Sequence, residues 1–335
     1  MPLRHSANVY LRMDDIMKLS DLGEKEIIKR ILRYVDESDL IEKGDDVASY
    51  GNIALKVDGF SIEYSKYPWN TYYDLGWKVI TMVTSDLVVK SAVPRAYLVS
   101  LGLPRTFRML HLDDLVKGLK DAVLFYNSRF LGGDLNECAC NGWIDVFSLG
   151  IFKARPPGKR NKIKSAYIIV TGEYGLTSVA YYIYQNRLNW RELIKIYPQV
   201  FKTTKQPVVY LRLADIIAEY IDYIYASTDV SDGLAYSLWE ISEGNRIEIE
   251  ISNIPIHEEV KEFALRYDLD CFTLALYGGE EFEAILLVDG EVADEIVDRI
   301  NRFHKANIIG KTGEKGIGVF IKKKMIAKKG WEYFT

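Results

Sequence analysis

"STDVSDGLAYSL", Ser227 to Leu238, is the stretch on which the reading of this chain turns. It sets Asp229, Ser231 and Asp232 within four residues, follows them with Gly233, and then becomes apolar with helical spacing. Ser and Asp suit a helix N-terminus, where a side-chain oxygen caps an orphan N–H and an acid opposes the positive end of the dipole. One acid meets that need. A second carboxylate at such short range repels the first unless a cation or solvent intervenes. Capping and metal binding both remain open from this stretch alone.

The same residue type recurs along the chain. "KGDDVA" carries Asp45 and Asp46, "LKVDG" Asp58, "VTSDL" Asp86, "LGGD" Asp134, and "YGGEEFE" Glu280 and Glu281. Each sits at a break or inside an apolar segment rather than on a plain charged face. A single buried acid is costly unless it is paired or coordinated, so several point to a shared cation. Oxygen ligands without His or Cys favour Mg²⁺ over zinc, and Mg²⁺ usually completes its octahedron with water and substrate phosphates. That logic leads to a nucleotide.

The usual nucleotide signatures are missing. "IIGKTGEKG" at 308–316 contains Gly-Lys-Thr, but Lys305 stands where the first Walker glycine belongs, so it is read as a turn. "GIGVFI" at 316–321 lacks the third glycine of the dinucleotide fingerprint and is read as a turn before a strand. The pairs Gly132-Gly133 and Gly278-Gly279 either bring backbone close to phosphate or only permit tight turns.

Bulk properties narrow the class. The chain has 335 residues, 48% hydrophobic and 27% charged, with a net charge of −4. That length favours two domains. The absence of a basic face with interleaved aromatics argues against nucleic acid as a partner. No apolar run approaches the roughly 20 residues of a membrane helix, and the N-terminus lacks the apolar core of a signal peptide. The three cysteines, Cys138, Cys140 and Cys271, suit a reducing cytoplasm. Cys138 and Cys140 form a lone C-x-C, read as small buried or strand residues rather than a zinc site. The four histidines are scattered, so the chemistry is not expected to use a His base.

Periodicity supplies a coarse map. A helix is expected over 24–35, a strand at 53–57 ending at Asp58, a buried helix over 76–93, an amphipathic helix from 112 running into "LGGD", and a strand at 143–152. "KARPPGKRNKIK", 153–164, is the best boundary. Beyond it come helices near 176–184 and 209–225, a strand at 283–288, and a solvated run "KKKMIAKK" at 322–329. Irregular alternation of both element types indicates α+β architecture in each half.

Taken in order, "GDDVA", "VDG", "GWK" with "SD", "GGD", "TDVSDGLA", "YGGEEFE" and a terminal "KGWEYF" resemble the thiamine-monophosphate kinases, of the superfamily of aminoimidazole ribonucleotide synthetase, selenophosphate synthetase and the hydrogenase-maturation ATPase. The likeness spans nearly the whole chain. It implies a two-domain α+β fold of the aminoimidazole ribonucleotide synthetase type. Residues 1–152 would form an ATP- and Mg²⁺-binding, dimerising domain, and 153–335 a C-terminal domain. The N-terminal sheets of two subunits would pair across a homodimer. Matching residue by residue, Asp45, Asp58, Asp86, Asp134, Asp229 and Asp232 correspond to metal ligands, with Asp229 and Asp232 at the catalytic centre. Gly133, Asp134 and Ser231 correspond to nucleotide contacts. An Arg expected between the domains is matched by Lys159 or Arg160, and Arg160 is taken as a nucleotide contact. Glu280 and Trp331 correspond to substrate contacts. Ser65 stands where the family has a substrate-contacting His in the segment after its Thr-Thr-Asp motif, and Gly175-Leu176-Thr177 replaces a Gly-Asp-Ser turn. The implied reaction is in-line phosphoryl transfer from ATP to thiamine monophosphate, whose phosphate needs no general base. The alternatives are another ATP-dependent enzyme of the superfamily or a non-catalytic nucleotide-binding paralogue.

Overall fold

The structure is a computed structural model that describes residues 17–158 and 165–332. The segment up to Asp36, with Glu332, forms a small unit of its own, and Glu37–Trp331 forms the other. In the small unit the predicted helix is α1 (Glu24–Ile31), opened by acids and closed by Lys29 and Arg30 as the helix dipole favours. It turns into a short 3₁₀ turn over Leu32–Tyr34.

The large unit begins with β1 (Ala48–Tyr50), β2 (Ile53–Ser61), α2 (Ile62–Ser65), α3 (Tyr72–Val89), β3 (Ala92–Leu103), α4 (Met109–Phe125), β4 (Arg129–Glu137) and β5 (Trp143–Phe152). These strands make one five-stranded sheet in the order β1-β2-β5-β3-β4, with only β3 and β4 parallel. The chain continues through β6 (Tyr167–Thr171), α5 (Leu176–Gln185), α6 (Trp190–Ile196), α7 (Pro198–Thr203), α8 (Arg212–Glu219), β7 (Ile224–Asp229) and α9 (Leu234–Asn245). It closes with β8 (Ile247–Ile251), α10 (Glu258–Tyr267), α11 (Cys271–Tyr277), β9 (Ala284–Val288), α12 (Ala293–Ile300), β10 (Ala306–Lys315), β11 (Gly318–Ile321) and β12 (Lys324–Met325). The second sheet runs β12-β11-β8-β10-β6-β9-β7. This is α+β architecture in both halves.

Several sequence expectations need correction. The buried helix stops at Val89, because Ser91 takes a left-handed conformation at φ 58° and the chain then turns into β3. Strand β3 carries Pro94, which masked its signal. The glycines of "LGGD" lie inside β4 rather than at a break. The stretch 308–316, read as a turn, falls almost wholly within β10, paired with both β6 and β8. The helix placed at 209–225 ends at Glu219 and β7 starts at Ile224. The basic run near the end contains the hairpin strand β12.

Helix α3 organises the unit. Thr71 caps it, accepting from Asp74 N at 3.2 Å while Asp74 accepts from Thr71 N at 2.8 Å. The helix is buried along nearly its whole length and is apolar on several faces, as an internal helix must be. It packs against α4 and the first sheet on one side and reaches α8, β7 and β9 on the other. One continuous core therefore joins Val79, Val83 and Tyr97 to Leu213, Ile217 and Leu286.

The α3–α4 contact is tight because both helices offer glycine. A Cβ added at Gly118 would stand 2.0 Å from the Tyr73 carbonyl oxygen, and one at Gly76 would stand 2.3 Å from that of Leu115. Backbone cannot yield as a side-chain tip can. Gly118→Ala is expected to lower stability by about 1–3 kcal/mol, read as a reduced denaturant midpoint at unchanged slope.

Candidate functional site

The quoted motif resolves clearly. Strand β7 is buried and delivers Asp229 at its C-terminal end. The helix that follows is capped by Gly233, which has no side chain to offer. Asp229 is instead held by other groups. Ser85 Oγ donates to its Oδ2 at 2.6 Å, and Ser237 Oγ donates to its backbone oxygen at 3.0 Å. Capping is not its role.

Among the described residues, one group of acids brings its oxygens close enough to share a cation: Asp46, Asp86 and Asp229, all within 4.8 Å of one another and all buried. Asp86 comes from α3, Asp229 from β7, and Asp46 from the loop before β1. Burial pushes the Asp86 carboxyl well above its usual range, Lys56 opposes the shift, and Asp229, Asp46 and Asp58 reinforce it. Three converging buried carboxylates of this kind could hold a hard divalent cation.

Cations of the chain itself border the cluster. Lys56 Nζ lies 3.1 Å from Asp86 and 3.4 Å from Asp58. Lys90, with no exposed surface, reaches Asp45 at 2.8 Å and Asp46 at 3.2 Å, and donates to the carbonyls of Ser227 and Pro157. Thr228 Oγ1 donates to Asp46 at 3.2 Å. Both side chains are buried against Lys90, and it is Asp46 that also joins the other acids. The adjacent pair in "GDDVA" gave no means of telling which member does so.

The remaining candidates lie at different distances from this centre. Asp58 joins it through Lys56. Asp232 is half-buried at the turn before α9, and its carbonyl accepts from Trp331 N at 2.9 Å. Ser231 Oγ stands 3.5 Å from Asp229 Oδ1. Gly133 and Asp134 lie on edge strand β4. There Gly133 faces Val99, whose carbonyl would meet an added Cβ at 1.7 Å, and Asp134 is exposed and accepts from Asn136 at 2.7 Å. Arg160 falls outside the described residues, as does Lys159. Cys138 and Cys140, expected to be buried or in a strand, follow β4 at the surface with their sulfurs 3.3 Å apart.

A second group of residues is tied to the acids by the backbone. Glu280 N donates to Ser231 O at 2.6 Å, which ties the Gly-Gly-Glu turn to the acid-bearing motif. Glu280 is held at φ 60° and Phe282 at φ 53°, conformations that non-glycine residues rarely adopt. Lys78 Nζ, almost fully buried, lies 2.9 Å from both Glu280 oxygens and 3.2 Å from the Ser65 carbonyl. Ser65 and Glu280 thus meet through Lys78. Trp331 packs edge-on against Tyr181, with centroids 5.9 Å apart, and its Cβ lies close to Gly279. Tyr67, stacked on Trp69 at 4.8 Å and edge-on to Tyr184, extends the aromatic lining. Burial pushes the Tyr67 hydroxyl up, and nearby Glu280, Tyr181 and Tyr184 add to the shift.

Among the described residues the three histidines are occupied elsewhere, and His5 lies outside them. His304 bonds Glu283 at 2.8 Å, His257 caps α10, and His111 stacks on Tyr72.

Residues 44–152 match the model of the "AIR synthase related protein, N-terminal domain" family. The thiamine-monophosphate kinase of Pyrobaculum calidifontis is 30% identical over 244 residues, covering 73% of this chain and 77% of that protein. The chain belongs to the thiamine-monophosphate kinase family. The family member from Pyrococcus horikoshii is 29% identical over 94% of this chain and 97% of its own length. The solved structure of AaThiL complexed with AMPPCP and TMP superposes with a TM-score of 0.82 at 25% identity, covering 95% of this chain and 99% of that one. The fold is therefore that of the AIR synthase-like proteins.

Sequence reasoning missed Lys56, Lys78 and Lys90, because a lysine in an apolar run is ambiguous until its partner is placed. It named Glu281 among the recurring acids but gave it no role. That carboxyl is buried and accepts from Gly175 N at 2.8 Å and Thr177 Oγ1 at 2.9 Å. Burial pushes its pKa from 4.5 up to about 7, partly offset by those two bonds and aided by Glu283. A carboxyl raised on folding binds more protons in the folded than in the unfolded chain, so its contribution to stability declines as pH rises from 4.5 through about 7. Glu281→Gln keeps the acceptor oxygen and removes the charge. It is expected to flatten the pH dependence of melting between pH 5 and 8, and to raise the midpoint at pH 8 by roughly 2–4 °C for each kcal/mol recovered.

Proposed function

We propose that this chain transfers the γ-phosphoryl group of ATP to the phosphate of thiamine monophosphate, giving ADP and thiamine diphosphate. The observation that carries the reading is the 2.6 Å hydrogen bond between Glu280 N and Ser231 O. It sets a carboxylate cluster suited to a metal-bound polyphosphate beside an aromatic pocket suited to a cationic ring. AaThiL, solved with AMPPCP and TMP, and the family relatives support the same donor and acceptor.

Asp46, Asp86 and Asp229 would hold Mg²⁺, with Asp58 and Asp232 at its margin. Once bound, the ion supplies charge neutralisation at the phosphate oxygens. The chain's own work is positional. Ser231 and the backbone at the start of α9 offer donors to the phosphates. The faces of Trp331 and Tyr67 attract the thiamine cation, each by about 0.5–2 kcal/mol, and Glu280, its charge balanced by Lys78, lies alongside as a further contact. The acceptor phosphate is largely ionised at neutral pH, so no base is required, in keeping with the three described histidines being engaged elsewhere. Asp134 and Gly133, on the edge strand, and Arg160 are assigned to the nucleotide.

The working form is proposed to be a cytoplasmic homodimer. On the face of the first sheet turned away from α3, Val57, Phe147 and Leu98 lie in one cross-strand row and Leu55, Leu149 and Ala96 in the next. Val57 is 63% exposed and Leu98 41%, an apolar face that a pairing sheet would cover. Among the described residues no helix is long and apolar enough to cross a membrane.

The decisive assay is incubation with ATP, Mg²⁺ and thiamine monophosphate, with ADP and thiamine diphosphate read in equal amounts. EDTA should abolish turnover. Asp229→Asn should lower kcat at least about 100-fold with the melting curve retained, and near-normal turnover would remove Asp229 from the metal site. Trp331→Ala should raise KM for thiamine monophosphate about three- to thirtyfold and leave that for ATP nearly unchanged.

Light scattering should give twice the 38.4 kDa chain mass. The double variant Val57→Asp, Leu98→Asp should shift it to the single-chain value. Wild-type protein already at that value would exclude the dimer.

A further inference from the structure

Two lysines oppose the sign of the acidic site: Lys90 is held by Asp45 and Asp46, and Lys56 by Asp86 and Asp58. Lys56 lies on the face of β2 turned toward α3, in register with Ser148 and Tyr97 on the neighbouring strands. Its ammonium is 3.1 Å from Asp86 Oδ1 and 3.4 Å from Asp58 Oδ2, with the side chain 21% exposed. Burial opposes its charge, yet Asp86, Asp58, Asp229 and Asp46 together hold it protonated, well above the usual lysine range.

Those four acids are the ones a divalent cation would draw on. Asp86 is shared: one of its oxygens faces Lys56 and the residue also belongs to the cluster with Asp46 and Asp229. A lysine ammonium is a compact point charge with three donors. Unlike an ion, it cannot dissociate.

We propose that the Lys56 ammonium takes the place of one divalent cation in this site, clamping Asp58 to Asp86, so that the chain binds one divalent ion fewer than the same carboxylates would hold without it. Lys56 is then a positioning residue that keeps the acids assembled before metal and nucleotide arrive. The proposal rests on the reading of Asp46, Asp86 and Asp229 as a divalent-cation site, and not on the identity of the acceptor.

The test counts ions rather than turnover. The full chain is titrated with Mn²⁺ in the presence of a non-hydrolysable ATP analogue, with free Mn²⁺ read by electron paramagnetic resonance. Lys56→Met is expected to bind one more Mn²⁺ per chain than wild type, or to bind its weakest ion at least roughly tenfold more tightly, because a unit positive charge at contact range has been removed. Lys56→Arg, which keeps the charge, should match wild type. Equal counts and affinities in all three proteins would overturn the proposal.

A second readout separates this role from a plain salt bridge. In EDTA, Lys56→Met should melt below wild type, and Mg²⁺ should restore most of the difference, while the wild-type midpoint moves little. A loss of the same size with and without Mg²⁺ would also overturn it. If Lys56→Met fails to fold under both conditions, Lys56→Gln carries the same two measurements. Failure to phosphorylate thiamine monophosphate would leave the ion count untouched, so the two readings can fail separately.

Discussion

Burying charge is the constraint around which this molecule is arranged. Helix α3 carries Asp86 into the interior, and Lys78 on the same helix and Lys90 at its C-cap go in with it. Each has to find an opposite charge or a set of carbonyls there, since an unpaired buried ion is far more costly than an exposed one. The partners come from every side. Lys78 takes Glu280 from the second half of the chain, Lys90 takes Asp45 and Asp46 from the loop before β1, and Asp86 takes Lys56 from β2. Once these pairs are made, the position of α3 between the two sheets follows, and so does the convergence of acids at one point.

The same constraint explains how the site is divided. Where carboxylates outnumber lysines, at Asp46, Asp86 and Asp229, the excess charge invites a divalent ion. Where the numbers balance, at Lys78 and Glu280, no excess charge is left and the surroundings are aromatic. Two chemistries are kept apart by charge accounting, yet the backbone bond from Glu280 to Ser231 keeps them within reach of each other.

Much of this was legible in the sequence. The acids stood out because they fell at breaks or inside apolar runs, and strand 143–152 was read to the residue because its alternation is regular and both ends are marked. Elements were lost where local signals conflict. Pro94 concealed β3, the glycines of β4 looked like a turn, and Gly310 and Gly313 did the same for β10. Two of those glycines serve close strand approach: a Cβ on Gly310 would meet the Glu250 carbonyl at 2.1 Å and one on Gly133 the Val99 carbonyl at 1.7 Å. The lysines could not be assigned because most of their partners lie far away in sequence, and Lys90 binds both Asp45 and Asp46, so no local pattern reports that Asp46 alone joins Asp86 and Asp229.

That remoteness bears on the order in which the protein acquires its activity. The bond between Ser85 and Asp229 spans 144 residues, and that between Thr228 and Asp46 spans 182. Closing such loops is entropically unfavourable until the sheets on either side have formed, and contacts of this span slow folding. A chain emerging from the ribosome can complete its first sheet while β7 is still unsynthesised. During that interval it holds two of the three clustered acids, and the cluster is completed only once β7 has been made.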